Sequence, residues 1–259
     1  MTHRPEYSDG APCWADLTTS DREGALRFYG GLFGWTFDAA NPKLGGYANM
    51  RLHGKSVGGV MQVVPGRDMR VMWNVHLQSS DIEATARKVV AAGGTVVMPG
   101  HPVEALGTMM FVTDATGAFF GVWQPGEHRG AEWAGAPGGM CWHELYTRDG
   151  ARADAFYREV FAVHTTKVEN DKNVDYARYD RDGRPVCGRL EMTAAWGEVP
   201  PHWLVYFAVT DLEASLATLR SLDGRLIHGP FATPMGPSAM VCDLQGAVFA
   251  LTQVTGSYA

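Results

Sequence analysis

The amino-acid sequence predicts an α+β protein of two tandem modules, because the chain repeats itself about half its length apart. Cys13–Leu17 has its counterpart at Cys141–Leu145, and the pair Phe28-Tyr29 is repeated at the same offset of 128 positions. A second set of landmarks, Trp73 with Asp81-Ile82-Glu83-Ala84, returns at an offset of 130. Two sets of landmarks that keep their spacing indicate a duplicated folding unit.

Each module divides into two units that read as strand, helix and three strands. In the first unit, alternation over 14–18 predicts a strand, and Ser20 with Glu23 forms a capping box that predicts the start of a helix. Strands at 47–52 and 56–64 follow. The helix carries apolar residues at the spacing of one buried face: Ala25, Phe28, Tyr29, Leu32 and Phe33.

The second unit repeats this order, with a strand at 71–78 and a capping box at Ser80 and Glu83. Its later strands are predicted at 94–98, 109–113 and 119–124. Its helix is predicted to bury Ile82, Ala86, Val89 and Val90. In the second module, helices are predicted to begin at Asp149 and at Thr210, the latter with a capping box to Glu213.

A stretch rich in Gly, Pro and Ala separates the two copies and predicts a linker. We therefore divide the chain into a first module at 1–126, a linker at 127–139 and a second module at 140–259. A β-α-β-β-β unit covers one sheet face with its helix and leaves the other face bare. We expect each module to set two such units side by side, so that a curved, mostly antiparallel sheet surrounds a cavity.

Composition limits the classes of function. The 259 residues carry a net charge of -6, and the basic residues are scattered singly, which argues against nucleic acid as a partner. No apolar run approaches the roughly 20 residues of a membrane span, and no signal peptide is recognisable, so we expect a cytoplasmic protein. The four cysteines form no C-x-x-C pair, which disfavours a zinc site or a disulfide framework. We expect a monomer or a homodimer.

Several motifs resemble the vicinal-oxygen-chelate superfamily, which includes glyoxalase I, bleomycin and fosfomycin resistance proteins and extradiol dioxygenases. They are Asp21 followed by Phe28-Tyr29, then Leu32-Phe33-Gly34-Trp35, and later Asp114-Ala115-Thr116-Gly117-Ala118. Over essentially its whole length the chain is similar to the tandem actinobacterial glyoxalase-like group, some members of which are labelled hydroxylases. The resemblance implies the paired β-α-β-β-β fold, on which isomerases, dioxygenases, transferases and binding proteins are all built.

The resemblance also implies where a metal ion would bind. Metal-using members commonly have a His seven residues before the Asp that leads a helix, and a Glu four residues after the Gly of the final Asp-x-x-Gly turn. Those positions hold Trp14, Asn74 and Gly121 in the first module, and Trp142, Leu204 and Ala250 in the second. A divalent ion needs several converging ligands, which neither set supplies. We therefore expect no metal and no other cofactor.

Strand alternation predicts which side chains line each cavity, because residues two apart share a face. In the first module we predict Asp16 and His76 as a catalytic acid–base couple. Ligand-binding residues are predicted at Trp14, Thr18, Asn74, Gln78, Phe119 and Trp123 in the first module, and at Trp142, Glu144, Tyr146 and Tyr206 in the second. His143 is predicted to face the helices. A purely structural role as satisfied buried residues remains the alternative for Asp16, His76 and Glu144.

Two classes of function remain open, and whether the chain is an enzyme is not decided at this point. In the first, the protein is a metal-independent enzyme of secondary metabolism that isomerises, cyclises or hydroxylates a small aromatic or carbonyl-containing metabolite. In the second, it binds or sequesters such a molecule without catalysis. A metal-dependent lyase or dioxygenase, and a structural or interaction role, are less favoured.

Overall fold

The computed structural model describes residues 6–64, 66, 69–169 and 174–254, and it contains two eight-stranded sheets. The first sheet comprises β1 (Pro12–Thr19), β2 (Thr36–Phe37), β3 (Ala48–Leu52), β4 (Lys55–Gln62), β5 (Met72–Gln78), β6 (Thr95–Val103), β7 (Gly107–Thr113) and β8 (Phe119–Pro125). The second comprises β9 (Met140–Thr147), β10 (His164–Lys167), β11 (Tyr176–Arg181), β12 (Arg184–Glu191), β13 (His202–Val209), β14 (Arg225–Thr233), β15 (Gly236–Cys242) and β16 (Val248–Gln253).

The two sheets have the same topology. Their orders are β2-β3-β4-β1-β5-β8-β7-β6 and β10-β11-β12-β9-β13-β16-β15-β14. Within each β-α-β-β-β unit the first and last strands pair in parallel, as β1 does with β4, and the other pairs are antiparallel. The predicted fold class is therefore confirmed: an α+β chain of two tandem modules with mixed, mostly antiparallel sheets. The strand β2 was not located from the sequence.

Four helices follow the opening strands of the four units: α1 (Arg22–Phe33), α2 (Ile82–Ala91), α3 (Gly150–Phe161) and α4 (Leu212–Ser221). Every one begins after an aspartate whose carboxylate accepts a hydrogen bond from the backbone N–H three residues on. The three predicted capping boxes are therefore wrong by one residue. The caps are Asp21, Asp81 and Asp211, because a carboxylate near the positive end of a helix is a strong acceptor.

The helix-bearing faces of the two sheets pack against each other and enclose a shared core. Helix α1 contacts α4, α2 contacts α3, and β13 packs against β5 and β8. Phe28 and Tyr29 of α1 lie in the same buried cluster as Phe207 and Phe249 of the second module. Of the predicted inward residues of α2, Ile82 and Val89 are buried but Val90 is 60% exposed, which corrects that assignment.

The segment predicted as the linker packs against both modules. The backbone N–H of Ala131 donates to the carbonyl of Cys13, and the Glu132 carboxylate accepts from the Ser56 hydroxyl. Further along, Gly138 and Gly139 exchange backbone hydrogen bonds with Ala208 of β13. The segment therefore joins the modules through specific contacts rather than as a loose tether.

The opposite face of each sheet, turned away from the helices, is called the inner face below. On β13, Val205 and Phe207 belong to the shared core, whereas Leu204 and Tyr206 belong to a separate cluster on the inner face. On β5, Val75 and Leu77 likewise belong to the shared core, and Asn74 and His76 alternate with them. In the part of the chain that the structure describes, no helix is both long and apolar enough to cross a bilayer.

Candidate functional site

The inner face of the first module carries a connected group of buried polar side chains. β1 and β5 are antiparallel neighbours whose register sets Asp16 opposite Asn74 and Trp14 opposite His76. Nε2 of His76 lies 2.7 Å from Oδ2 of Asp16. Nδ2 of Asn74 donates to Oδ1 of Asp16 at 2.9 Å and to the Thr18 hydroxyl at 3.0 Å. The structure thus brings together four of the residues that the sequence predicted for this site.

Contacts with Asp16 and with the backbone of Gly121 hold His76 in one orientation. Because a carboxylate accepts hydrogen bonds, Nε2 is the ring nitrogen that donates in the contact with Asp16. Nδ1 is buried and has no hydrogen-bond partner among the described residues. It faces Gly121 on the adjacent strand β8, where a Cβ would overlap with it. The geometry therefore orients the imidazole through Nε2 and leaves Nδ1 without a hydrogen-bond partner, packed against the backbone of Gly121.

Aromatic rings surround this group. Trp14 donates from Nε1 to the Tyr47 hydroxyl at 2.7 Å, and Trp123 donates to the carbonyl of His128 at 2.8 Å. The His128 ring meets Trp14 edge-on, with 4.4 Å between ring centroids. Phe119 stacks on Phe111, which also contacts the His76 ring. Gln78 lies apart from these contacts, because its amide nitrogen donates to the carbonyl of Tyr7.

Three residues of this face were missed by the sequence reasoning. Phe111 lies on a predicted strand and follows the alternation, so the same counting applied to β7 would have found it. Tyr47 comes just before β3, and Tyr176 is its counterpart 129 positions later, so the repeat contained a signal. His128 belongs to the segment between β8 and β9, which has no periodicity, and nothing in the pattern indicated it.

The inner face of the second module carries a carboxyl group among phenols. Glu144 accepts hydrogen bonds from the hydroxyls of Tyr176 at 2.8 Å, Tyr146 at 3.0 Å and Tyr206. Burial raises the pKa of Glu144 above its ordinary value, although the tyrosine donors oppose the shift. Trp142 donates to Tyr176 at 3.2 Å. Tyr206 and Glu144 thus occupy the positions of His76 and Asp16, and the second module has no imidazole there.

His143 lies on the helix-bearing face, as predicted from alternation. It stands opposite Val205, a member of the shared core. Burial lowers the pKa of His143 to about 3, so its ring is neutral near pH 7. This histidine therefore has no part in the inner-face group.

Comparison with known proteins gives the family. Residues 14–123 match the glyoxalase-like domain family. The chain is 37% identical over 257 residues to CFP32 of Mycobacterium tuberculosis, named as a candidate glyoxylase, with 97% of each chain covered. It is 34% identical over 266 residues to the anthracycline biosynthesis protein DauV of Streptomyces sp. (strain C5), covering 97% of this chain and 96% of that protein. The fold and the paired inner faces define a vicinal-oxygen-chelate protein. The chain belongs to the tandem glyoxalase-like group of that superfamily.

Solved structures agree on the fold. The 2,3-dioxygenase LapB from Pseudomonas sp. KL28 has a TM-score of 0.65 at 14% identity, covering 98% of this chain and 94% of that chain. The Mn(II)-bound glyoxalase from Novosphingobium aromaticivorans has a TM-score of 0.64 at 15% identity, covering 96% and 83%. At these identities the similarity establishes the architecture alone.

The residues at the superfamily's metal positions do not fit a metal ion. In the first module Trp14 and the Asn74 amide nitrogen donate hydrogen bonds, and the His76 ring fills the space that a side chain on Gly121 would need. In the second module the positions hold Trp142, Leu204 and Ala250. No group of three or more His, Cys, Asp or Glu side chains within the described ranges is arranged to hold a metal.

Proposed function

We propose that this protein binds a small aromatic metabolite bearing a carbonyl group on the inner face of the first module and moves a proton next to that carbonyl. The observation that carries the proposal is the Asp16–His76 pair, with 2.7 Å between Oδ2 and Nε2 and with Nδ1 left without a hydrogen-bond partner. An imidazole whose tautomer is fixed by a carboxylate is a common general base in enzymes.

The proposed step is an enolisation. Nδ1 of His76 accepts a proton from the carbon next to the carbonyl, and the electron pair of that C–H bond forms the C=C bond of an enolate. Asp16 stabilises the imidazolium that results, and Asn74 holds the Asp16 carboxylate in place. Return of the proton to a different carbon would complete an isomerisation without any change of oxidation state.

Two observations support an aromatic ligand. The polar group is bordered by the rings of Trp14, Phe111, Phe119 and Trp123, and such surfaces suit flat apolar ligands with a few polar anchors. The relative DauV is named as an anthracycline biosynthesis protein, and anthracyclines are fused-ring aromatic carbonyl compounds. We propose a ligand of that chemical class for this chain, and we do not assign the chain to that pathway.

Binding without catalysis is the second candidate, and the burial of the site favours it. His76 is only 2% exposed, and Asp16, Asn74 and Thr18 already satisfy one another. On this account the aromatic walls hold the ligand and the polar group only orients it, as expected of a sequestering protein.

Exchange of carbon-bound hydrogen separates the two candidates. 2-Tetralone, a ketone fused to an aromatic ring, is incubated with the protein in deuterated buffer, and loss of the protons next to the carbonyl is followed by NMR. We expect acceleration by the wild type and a decrease of about 100-fold or more in His76→Ala and Asp16→Asn. His101→Ala, at an exposed position on β6, is the matched control and keeps the wild-type rate.

Saturable binding of 2-tetralone without acceleration of its hydrogen exchange would contradict the proposed enolisation and support the second candidate, a binding protein. Equal rates in the wild type, His76→Ala and Asp16→Asn, with each variant folded, would remove the acid–base couple from the proposal.

A further inference from the structure

Tyr47 brings a phenol hydroxyl to the same inner face from outside the strands that carry the acid–base couple. Its hydroxyl accepts the hydrogen bond from Trp14 at 2.7 Å. It also lies above Gly59, where a Cβ would overlap with it, and Gly59 is the neighbour of Asp16 across the β1–β4 ladder. The phenol oxygen therefore sits beside Asp16, between a tryptophan wall and the polar group.

The second module contains the same arrangement and shows what the hydroxyl does there. Tyr176 accepts from Trp142 and donates its own hydrogen to Oε1 of Glu144 at 2.8 Å. It also lies above a glycine, Gly188, that pairs with Glu144. The hydrogen of Tyr176 is thus committed to the carboxylate of its own module.

In the first module the carboxylate is taken by other donors. His76 and Asn74 contact Oδ2 and Oδ1 of Asp16, and among the described residues the Tyr47 hydroxyl accepts from Trp14 but donates no hydrogen bond. Burial and the neighbouring Asp16 charge raise the pKa of Tyr47 well above its ordinary value, so the phenol stays protonated. A protonated hydroxyl that accepts one hydrogen bond and donates none is suited to bind a ligand oxygen.

We propose that the Tyr47 hydroxyl donates a hydrogen bond to the oxygen of the ligand bound on the inner face of the first module. The inference rests on the proposed function for the location of the ligand, and it adds the group that recognises the carbonyl. During enolisation the C=O π electrons move onto that oxygen, and the Tyr47 hydrogen bond strengthens as the negative charge develops. The step transfers no proton from Tyr47.

The test compares Tyr47→Phe with Tyr176→Phe, which removes the counterpart phenol from the second module. Two probes are used: 2-naphthol, a planar mimic of the enol, with binding followed by calorimetry, and 2-tetralone in the deuterium-exchange assay. We expect Tyr47→Phe to weaken 2-naphthol binding about 10-fold and to slow exchange about 100-fold, with little change in the KM for 2-tetralone. Tyr176→Phe keeps wild-type values for both.

The outcomes distinguish the two proposals. If the wild type binds 2-naphthol but exchanges nothing, the enolisation step fails, and weaker binding by Tyr47→Phe alone still supports the donor. If exchange depends on His76 but Tyr47→Phe matches the wild type in both assays, Tyr47 is not the donor and the acid–base couple stands. Equal losses in Tyr47→Phe and Tyr176→Phe also overturn the inference. If thermal melting shows that Tyr47→Phe is unfolded, the inference is overturned when Trp14→Phe, which removes the hydrogen bond to Tyr47, retains 2-naphthol binding and exchange.

Discussion

The hydroxyl of Tyr29 joins the two modules, and its removal is predicted to destabilise the protein. Tyr29 accepts a hydrogen bond from Nε1 of Trp73 at 3.0 Å and donates to Oδ2 of Asp243 at 3.0 Å, across the interface between the sheets. Tyr29 and Asp243 are fully buried. Tyr29→Phe keeps the ring in the aromatic core but leaves a buried N–H and a buried carboxylate oxygen without these partners.

The magnitude follows from those two groups. A buried polar group left unsatisfied costs about 1–3 kcal/mol, and a charged acceptor lies at the upper end. We therefore expect Tyr29→Phe to lower the free energy of unfolding by about 2–4 kcal/mol, measured by urea denaturation at constant m-value. Such a loss is a large fraction of the roughly 5–15 kcal/mol that stabilises a typical protein.

The second module supplies a matched variant. The Tyr157 hydroxyl accepts a hydrogen bond from Trp203 at 3.0 Å and donates one to Asp114 of the first module at 2.9 Å. These two bonds are equivalent to those of Tyr29, with the two modules exchanged. Tyr157→Phe should therefore cost about as much as Tyr29→Phe. A loss below about 0.5 kcal/mol in either variant would refute the reasoning that these bonds hold the modules together.

Three further outcomes are expected. Because burial raises the pKa of Glu144 in the folded state, the stability that this group contributes is present below the ordinary carboxyl pKa and is lost as pH rises through the raised value. Glu144→Gln should reduce that loss of unfolding free energy in urea titrations between about pH 4 and pH 8. A pH profile identical to that of the wild type would contradict this role of Glu144. Gly121→Ala should displace the His76 ring, abolish 2-tetralone exchange and cost about 1–3 kcal/mol by overpacking, whereas wild-type exchange would show that the ring has room. Chelator treatment should leave exchange unchanged, and elemental analysis that finds about one manganese, iron, zinc or nickel per chain would show that the protein holds a metal ion.

The fold was predictable from the sequence because the duplication preserves spacing. Landmarks such as Trp73 and Asp114 keep their distance from their counterparts, and each helix starts at the same place after its strand. The errors were local. The capping boxes missed Asp21 and its equivalents by one residue, since both Ser and Asp are good caps. Val90 was assigned to the core although it lies beyond the buried stripe of α2.

The candidate site was predictable only where it lies on regular strands. Alternation placed Asp16, Asn74 and His76 on one face, and the strand register then brings their side chains together. Tyr47 begins the predicted strand at 47–52 and has a repeat counterpart in Tyr176, so the pattern contained a signal for it. His128 reaches the same face from an irregular segment, whose path depends on tertiary packing and not on periodicity. The roles of all these residues remain predictions.

The most direct test of the account is a crystal structure of the protein with bound 2-naphthol. We expect density for the ligand on the inner face of the first module, with its oxygen about 3 Å from the Tyr47 hydroxyl and its rings against Trp14 or Trp123. Density beside Glu144 in the second module, or an empty first module at a saturating ligand concentration, would contradict the account.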